Sequence, residues 1–167
     1  MSEVAIRTTV EADGAALIAA NIADRDFHAP WVAPFTPGEA FATWFAQTRA
    51  GRHLSFLVLS DGHLAGVINL NEIVRGLFRS AYLGYYGYRW AAGRGVMASG
   101  LRMVIAEAFG GLALHRLEAN IQPGNARSKA LVQRLGFRLE GMSPGYLFID
   151  GAWRDHERWA LRADQED

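Results

Sequence analysis

Apolar positions along this chain change period several times, and the changes mark out its elements. Residues 5–10 alternate weakly as a short strand; beyond Glu11-Ala-Asp-Gly14, residues 15–22 read as an alanine-rich helix. Residues 26–37 form a loop that carries Pro30, Pro34 and Pro37 with the aromatics Phe27, Trp31 and Phe35. From Glu39 onward Phe41, Trp44, Phe45 and Thr48 recur at helical spacing, which predicts a second helix to Arg49, ended by Gly51. The period then shortens. Residues 53–59 and 64–74 are apolar, β-branched runs joined by Asp61-Gly62, a strong hairpin signal. Gly76 punctuates, and residues 82–90 follow as an aromatic-rich strand. Met97, Leu101, Val104, Ile105, Ala108 and Phe109 share one face of a long helix closed by Gly110-Gly111. Residues 116–121 read as a strand, and residues 125–135 as a helix capped in front by Asn125 and behind by Gly136. Residues 137–141 and 148–161 complete the chain as strands. With no repeat and no linker, this order predicts a single α/β (α+β mixed) domain over residues 1–167, one mixed sheet with helices on its faces.

Composition narrows the function classes. Half of the 167 residues are apolar, 20% are charged and 11% are aromatic, as in a soluble globular domain with a substantial core. No apolar run approaches the ~18 residues of a membrane span, and no signal segment opens the chain, so no membrane partner is expected. Seventeen acidic residues balance seventeen basic ones, which argues against direct nucleic-acid binding and against an acidic metal cage. There is no cysteine. Disulfides, thiolate metal sites and a cysteine nucleophile are thereby excluded, and a cytoplasmic location is the expectation.

The richest stretch for chemistry is Trp90-Ala-Ala-Gly93-Arg94-Gly95-Val96-Met97, between a strand and the long helix. Glycines there let a ligand approach the backbone, and free N–H groups at a helix start suit a phosphate. A plain strand-to-helix turn is the alternative. Gly95-Val-Met-Ala-Ser-Gly100 has P-loop spacing, yet Leu101-Arg102 stands where Lys-Ser/Thr is required. Gly93-x-Gly95 lacks the third glycine of a dinucleotide fingerprint. In the strand before it, Tyr82, Tyr86, Tyr88 and Trp90 are expected on one face, with Gly84 and Gly87 breaking the pattern. A strand that splays at such glycines leaves its N–H and C=O groups to an extended, amide-containing ligand.

The runs Leu83-Gly-Tyr-Tyr-Gly87, Gly93-Arg-Gly95, Asn125-Ala-Arg-Ser128 and Leu135-Gly136-Phe137 together resemble the GCN5-related N-acetyltransferase (GNAT) family. Gly66-Val-Ile-Asn69, Val74-Arg75-Gly76-x-Phe78 and Ile149-Asp-Gly-x-Trp153-x-Asp155-His156 resemble its ribosomal-protein-alanine N-acetyltransferase (RimJ/RimL-like) branch. The resemblance implies a mostly antiparallel central sheet splayed between its fourth and fifth strands, with acetyl-CoA (coenzyme A after transfer) bound in the V. It implies that the Gly93, Arg94, Gly95, Val96 and Met97 loop holds the pyrophosphate. The backbone of Tyr86, Tyr88, Arg89 and Trp90 would pair with the pantetheine, and Asn125 and Ser128 would reach the pantetheine arm and the departing sulfur. Two departures from the family pattern stand out: Ala92 replaces a polar residue, which Arg94 is placed to compensate, and Met97 replaces a small one, which should crowd the loop slightly.

Without a cysteine, direct attack by the amine in a ternary complex is the natural route. An α-amine near pKa ~7.7–8.0 is neutral far more often at pH 7 than a lysine amine near ~10.4, so an N-terminal acceptor needs only a weak base. Glu118 is the candidate base, with a surface glutamate paired to an arginine as the plainer reading. Ser128 is the candidate proton donor to sulfur, against a solvated first-turn serine, and Asn125 reads as both helix cap and cofactor contact. Some relatives place a glutamate near the strand reading Tyr146-Leu-Phe-Ile, but Leu147 is no acid. Trp31, Asn69 and Tyr146 are the candidate acceptor-binding residues. The five histidines show no ligand spacing and read as structural or exposed, with Asp155-His156 holding the last hairpin. The reading favoured is N-acetylation of a protein N-terminus beginning with Ala or Ser, as on ribosomal proteins. A small-molecule amine such as an antibiotic is the alternative acceptor, and a non-catalytic CoA-binding or ribosome-associated protein is a third reading. A homodimer contact through the final strands is left open.

Overall fold

The computed structural model describes residues 2–165. Its elements run β1 (Val4–Thr8), α1 (Gly14–Ala23), α2 (Arg25–His28), α3 (Gly38–Arg49), β2 (Leu54–Ser60), β3 (His63–Val74), β4 (Ser80–Gly87), α4 (Val96–Phe109), β5 (Arg116–Ile121), α5 (Ala126–Arg134), β6 (Arg138–Ile149) and β7 (Ala152–Arg162). The seven strands make one sheet in the order β1-β2-β3-β4-β5-β7-β6. Every neighbouring pair is antiparallel except β4 and β5, which run parallel. Strand alternation sorts the side chains between two layers. Phe56, Val58, Ile68, Leu83, Leu117 and Trp159 pack with Leu101 and Val104 of α4 and Val132 of α5. On the opposite face Leu57 and Val67 pack with Leu17 of α1 and Phe41 of α3. The expected mixed sheet with helices on both faces is what the chain builds.

Gly100 explains part of the false P-loop: a Cβ there would meet Val58 Cγ2 at 2.8 Å, so glycine lets α4 lie close on β2. The Asp61-Gly62 hairpin forms as predicted, with φ of 50° and 80° at the two turn residues.

Three boundaries differ from expectation. The loop over residues 26–37 begins inside the short helix α2. The aromatic strand ends at Gly87, and residues 89–91 wind into a 3-10 turn, so Tyr88 and Trp90 do not continue the face of Tyr82 and Tyr86. The last hairpin turns at Asp150-Gly151, with φ of 50° and 74°, rather than within residues 142–147. Pro144 and Gly145 break the apolar pattern of β6 without ending it. β6 is the outer strand of the sheet, where a proline's missing N–H leaves no ladder partner unmet, and its register simply shifts between Ser143 and Leu147.

The feature that positions the site is a short parallel contact. β4 and β5 pair only at Ser80↔Arg116, Ala81↔Leu117 and Tyr82↔Glu118. Beyond these, β4 continues to Gly87 and β5 to Ile121 without pairing, and the sheet opens as a V.

Candidate active site

One side of the V is a groove of about 840 Å³ between β4, the start of α4 and α5. One wall, at Gly93 and Gly95 and the start of α4, offers backbone. Gly93 and Gly95 hold φ of 75° and 76°, a region that L side chains rarely adopt, and a Cβ at either would meet nothing. Gly95 is the N-cap of α4 and no side chain caps that helix, so its first-turn N–H groups and positive dipole end face the groove mouth. From α5, Arg127 and Arg134 line the same groove. These two cations were not anticipated; their seven-residue spacing, two turns on one face, was the available signal.

Met97 does not crowd the loop. Its side chain drops onto the sheet, where Gly66 and Gly87 leave room for it: a Cβ at Gly66 would lie 2.3 Å from Met97 Sδ, and one at Gly87 2.9 Å from Cγ. Tyr88 is buried, and its hydroxyl donates to Asn21 Oδ1 of α1 at 2.9 Å, tying the end of β4 to that helix. His28 Nε2 lies 3.0 Å from Gly87 O; as the carbonyl can only accept, Nε2 donates.

The other side of the V opens into a cleft of about 670 Å³ beneath the loop that carries Trp31 and Phe35. Asn69, Asn120, Phe148 and His156 line it. Groove and cleft share Trp31, Val32, Tyr85, Tyr86, Asn125 and Ser128, so they adjoin where the sheet opens. At the junction Ser128 N–H donates to Asn125 Oδ1 at 3.2 Å, the predicted cap. Ser128 Oγ and Tyr85 Oη lie 2.6 Å apart. Burial pushes the Tyr85 hydroxyl up to about 12, against a smaller opposing effect of the Ser128 hydrogen bond, so it stays protonated at neutral pH and can donate to Oγ. Tyr85 was missed because attention fell on Tyr86, its neighbour on the other face of the same strand.

Several candidate residues lie elsewhere. Glu118 lines neither cavity: Arg116 Nε donates to its carboxylate at 2.8 Å, the arginine-paired arrangement of the plainer reading. Arg116 is held also by Glu140, chiefly through that hydrogen bond, which raises the guanidinium and lowers the Glu140 carboxyl. The nearby Tyr146 hydroxyl raises that of Tyr82, and the Tyr146 ring lies 6.2 Å from that of His156, at the edge of the cleft. The Arg89 N–H, expected to pair with the pantetheine, donates instead to Asp24 Oδ2 at 2.7 Å, and its side chain is turned onto Asp26 at 2.9 Å and over the Phe27 ring at 5.1 Å. Trp90 donates to Leu64 O at 3.0 Å, and Arg94 sits 5.9 Å from the Trp90 ring. None of these last three side chains lines the groove. Among the described residues no group of His, Asp or Glu is arranged to hold a metal ion, and no helix is long and apolar enough to cross a membrane.

The family model for the acetyltransferase (GNAT) domain matches residues 3–138. The chain belongs to the GNAT acetyltransferase family. Among curated proteins, the Escherichia coli K12 ribosomal protein uS5-alanine N-acetyltransferase is 44% identical over 102 residues, 60% of this chain and 52% of its own length. A probable N-acetyltransferase of Bacillus subtilis strain 168, YjcK, is 35% identical over 109 residues, 65% of this chain and 60% of its own. The matched part thus spans little more than half of those relatives. Among solved structures, Mycobacterium smegmatis RimJ in complex with CoA-disulfide superposes with a TM-score of 0.88 at 32% identity, covering 96% of this chain and 82% of that one. The GNAT match takes in the groove and the Tyr85–Ser128 junction, whereas the cleft also draws on residues beyond 138.

Proposed function

We propose that this GNAT domain transfers an acetyl group from acetyl-CoA to the α-amino group of a protein N-terminus beginning with Ala or Ser. The observation that carries this reading is the shared lining: a groove and a cleft that meet where the sheet splays, at Tyr85, Tyr86, Asn125 and Ser128, and beneath the loop at Trp31 and Val32. The residues present fit the cofactor. The uncapped start of α4 and the cations Arg127 and Arg134 suit phosphates, and the edge of β4 that β5 leaves unpaired suits the amides of a pantetheine arm. RimJ of M. smegmatis, with CoA-disulfide bound, has the same fold, and the uS5-alanine enzyme supports an N-terminal alanine acceptor.

Bound acetyl-CoA supplies an acyl group already activated as a thioester. The chain's part is to hold, orient and move protons. Ser128 Oγ, fixed between the Asn125 cap and Tyr85 Oη, is the proton donor at the sulfur side of the junction, and Tyr85 replaces the proton Oγ gives up. With no thiol nucleophile in the chain, transfer is direct, and an α-amine needs little help to lose its proton.

A thiol-release assay tests the reading. With no cysteine in the chain, every thiol detected is coenzyme A. Turnover with Ala- and Ser-initiated peptides, and none with an N-terminally blocked lysine peptide, is expected. Turnover confined to small amines such as antibiotics would reassign the acceptor, and binding of acetyl-CoA without turnover on any amine would leave a binding protein.

A further inference from the structure

We propose that His156 is the base that takes the proton of the acceptor amine, an inference that rests on the α-amine reading above. His156 belongs to β7 and is 2% exposed, yet it lines the acceptor cleft. Its Nδ1 lies 2.9 Å from Arg154 O. A carbonyl oxygen only accepts, so Nδ1 carries the hydrogen and the neutral ring keeps its lone pair at Nε2. Among the described residues Nε2 has no hydrogen-bond partner. Cross-strand register sets its surroundings. Asn69, Gly84, Asn120 and His156 fall on the same face of β3, β4, β5 and β7.

Two further lone-pair groups converge there. Asn69 Oδ1 and Asn120 Oδ1 are buried without any partner, and a buried acceptor left unmet is costly. The cleft interior therefore offers acceptors that a donor from outside must satisfy, and an α-ammonium with its following peptide N–H groups brings such donors. The other acids do not compete for the proton. Glu118 is held by Arg116 outside the cleft, and Asp150, the one acid that lines it, sits solvent-exposed at the hairpin tip rather than buried as His156 is.

The step balances as follows. Nε2 removes one proton from the ammonium; the freed amine lone pair forms the C–N bond to the acyl carbon while the C–S bond breaks. The nitrogen's second proton passes to solvent, the departing sulfur takes the proton of Ser128, which Tyr85 replaces and then recovers from solvent, and the proton left on His156 passes to solvent, so one proton is released per turnover.

His156→Asn tests this, because the Asn amide can still donate to Arg154 O but cannot take a proton. With saturating acetyl-CoA and an Ala-initiated peptide, kcat is expected to fall roughly 100-fold while the acceptor KM changes less than about threefold. The melting-temperature rise on adding coenzyme A should match wild type, which separates catalysis from misfolding. With a peptide whose α-amine is less basic, such as one opening with a fluorinated alanine, the deficit should shrink below about tenfold. Nitrogen-15 NMR of the coenzyme A-bound wild type should show Nδ1 protonated and Nε2 bare. An Asn variant with near-wild-type kcat, a deficit indifferent to amine basicity, or an Nε2-protonated tautomer would overturn the proposal. Wild-type silence on every α-amino peptide would instead overturn the substrate reading, with the tautomer still deciding whether Nε2 can act as a base.

Discussion

The groove and the cleft that meet at the V are built from different materials. What the groove offers a cofactor is main chain along one wall: two glycines at positive φ, the uncapped start of α4 and the edge of β4 that β5 leaves unpaired, all within the stretch that matches the GNAT model. The cleft is made of side chains contributed by β3, β5, β7 and the loop over residues 29–37, and His156 and Phe148 lie beyond residue 138. A common cofactor can be gripped through backbone atoms that almost any sequence supplies once glycines are placed. An acceptor has to be read by side chains brought from distant parts of the chain. The comparison implies that variants near the groove should act on coenzyme A affinity and stability, those near the cleft on acceptor use, and those at the junction on turnover.

The largest effect is expected at the junction. Ser128→Ala should lower kcat by roughly 100-fold with coenzyme A affinity, followed by calorimetry, nearly unchanged. An equal loss of coenzyme A binding would move Ser128 into the groove's machinery. Next is the groove floor. Gly87→Ala, which drives a Cβ into Met97 Cγ, should cost about 1–3 kcal/mol of stability in denaturant unfolding, and Met97→Ala in the same chain should recover most of it. Tyr85→Phe removes one hydrogen bond to Ser128 Oγ and should cost about tenfold in kcat, on the order of 1 kcal/mol, with the pH profile below pH 9 unaltered, since the Tyr85 hydroxyl near 12 never ionises there.

The smallest effect lies away from both arms. Asp13 is held below its usual value of 3.8, first by its hydrogen bonds from Arg7. A lowered carboxyl stabilises above its unfolded value and loses that contribution as pH falls through the folded one. Asp13→Asn should therefore lower stability by no more than about 1 kcal/mol at pH 7, with the difference vanishing as pH falls through the lowered Asp13 value, and should leave turnover untouched. A change in acceptor use here would break the separation of the two arms from the rest of the fold.

How much could be read in advance follows the same division. Local devices were legible because they act on neighbours in sequence: the Asp61-Gly62 turn, the Gly93-x-Gly95 bend, and the Asn125 cap on Ser128. Asp150-Gly151 carried the same turn signal as Asp61-Gly62, but the aromatic run from Phe148 to Trp159 masked it. Tyr85 was lost to parity, since one residue along a strand changes the face and here the whole neighbourhood. Arg89 and Glu118 are polar groups whose partners, Asp26 and Arg116, were not deducible from spacing alone. His156 stood out in sequence only as part of the ending that resembles the RimJ/RimL-like branch and read as structural, because its burial and its free Nε2 come from β5, β6 and β7 assembling around it.

The central claim is that groove and cleft are one passage joined at Tyr85 and Ser128. Calorimetric binding of a conjugate, an Ala-initiated peptide joined through its α-nitrogen by a two-carbon acyl linker to the sulfur of coenzyme A, tests it most directly. If the arms meet, one molecule fills both and should bind at least roughly 100-fold more tightly than coenzyme A alone, as linked ligands do when geometry permits. Affinity no better than that of coenzyme A would contradict the account.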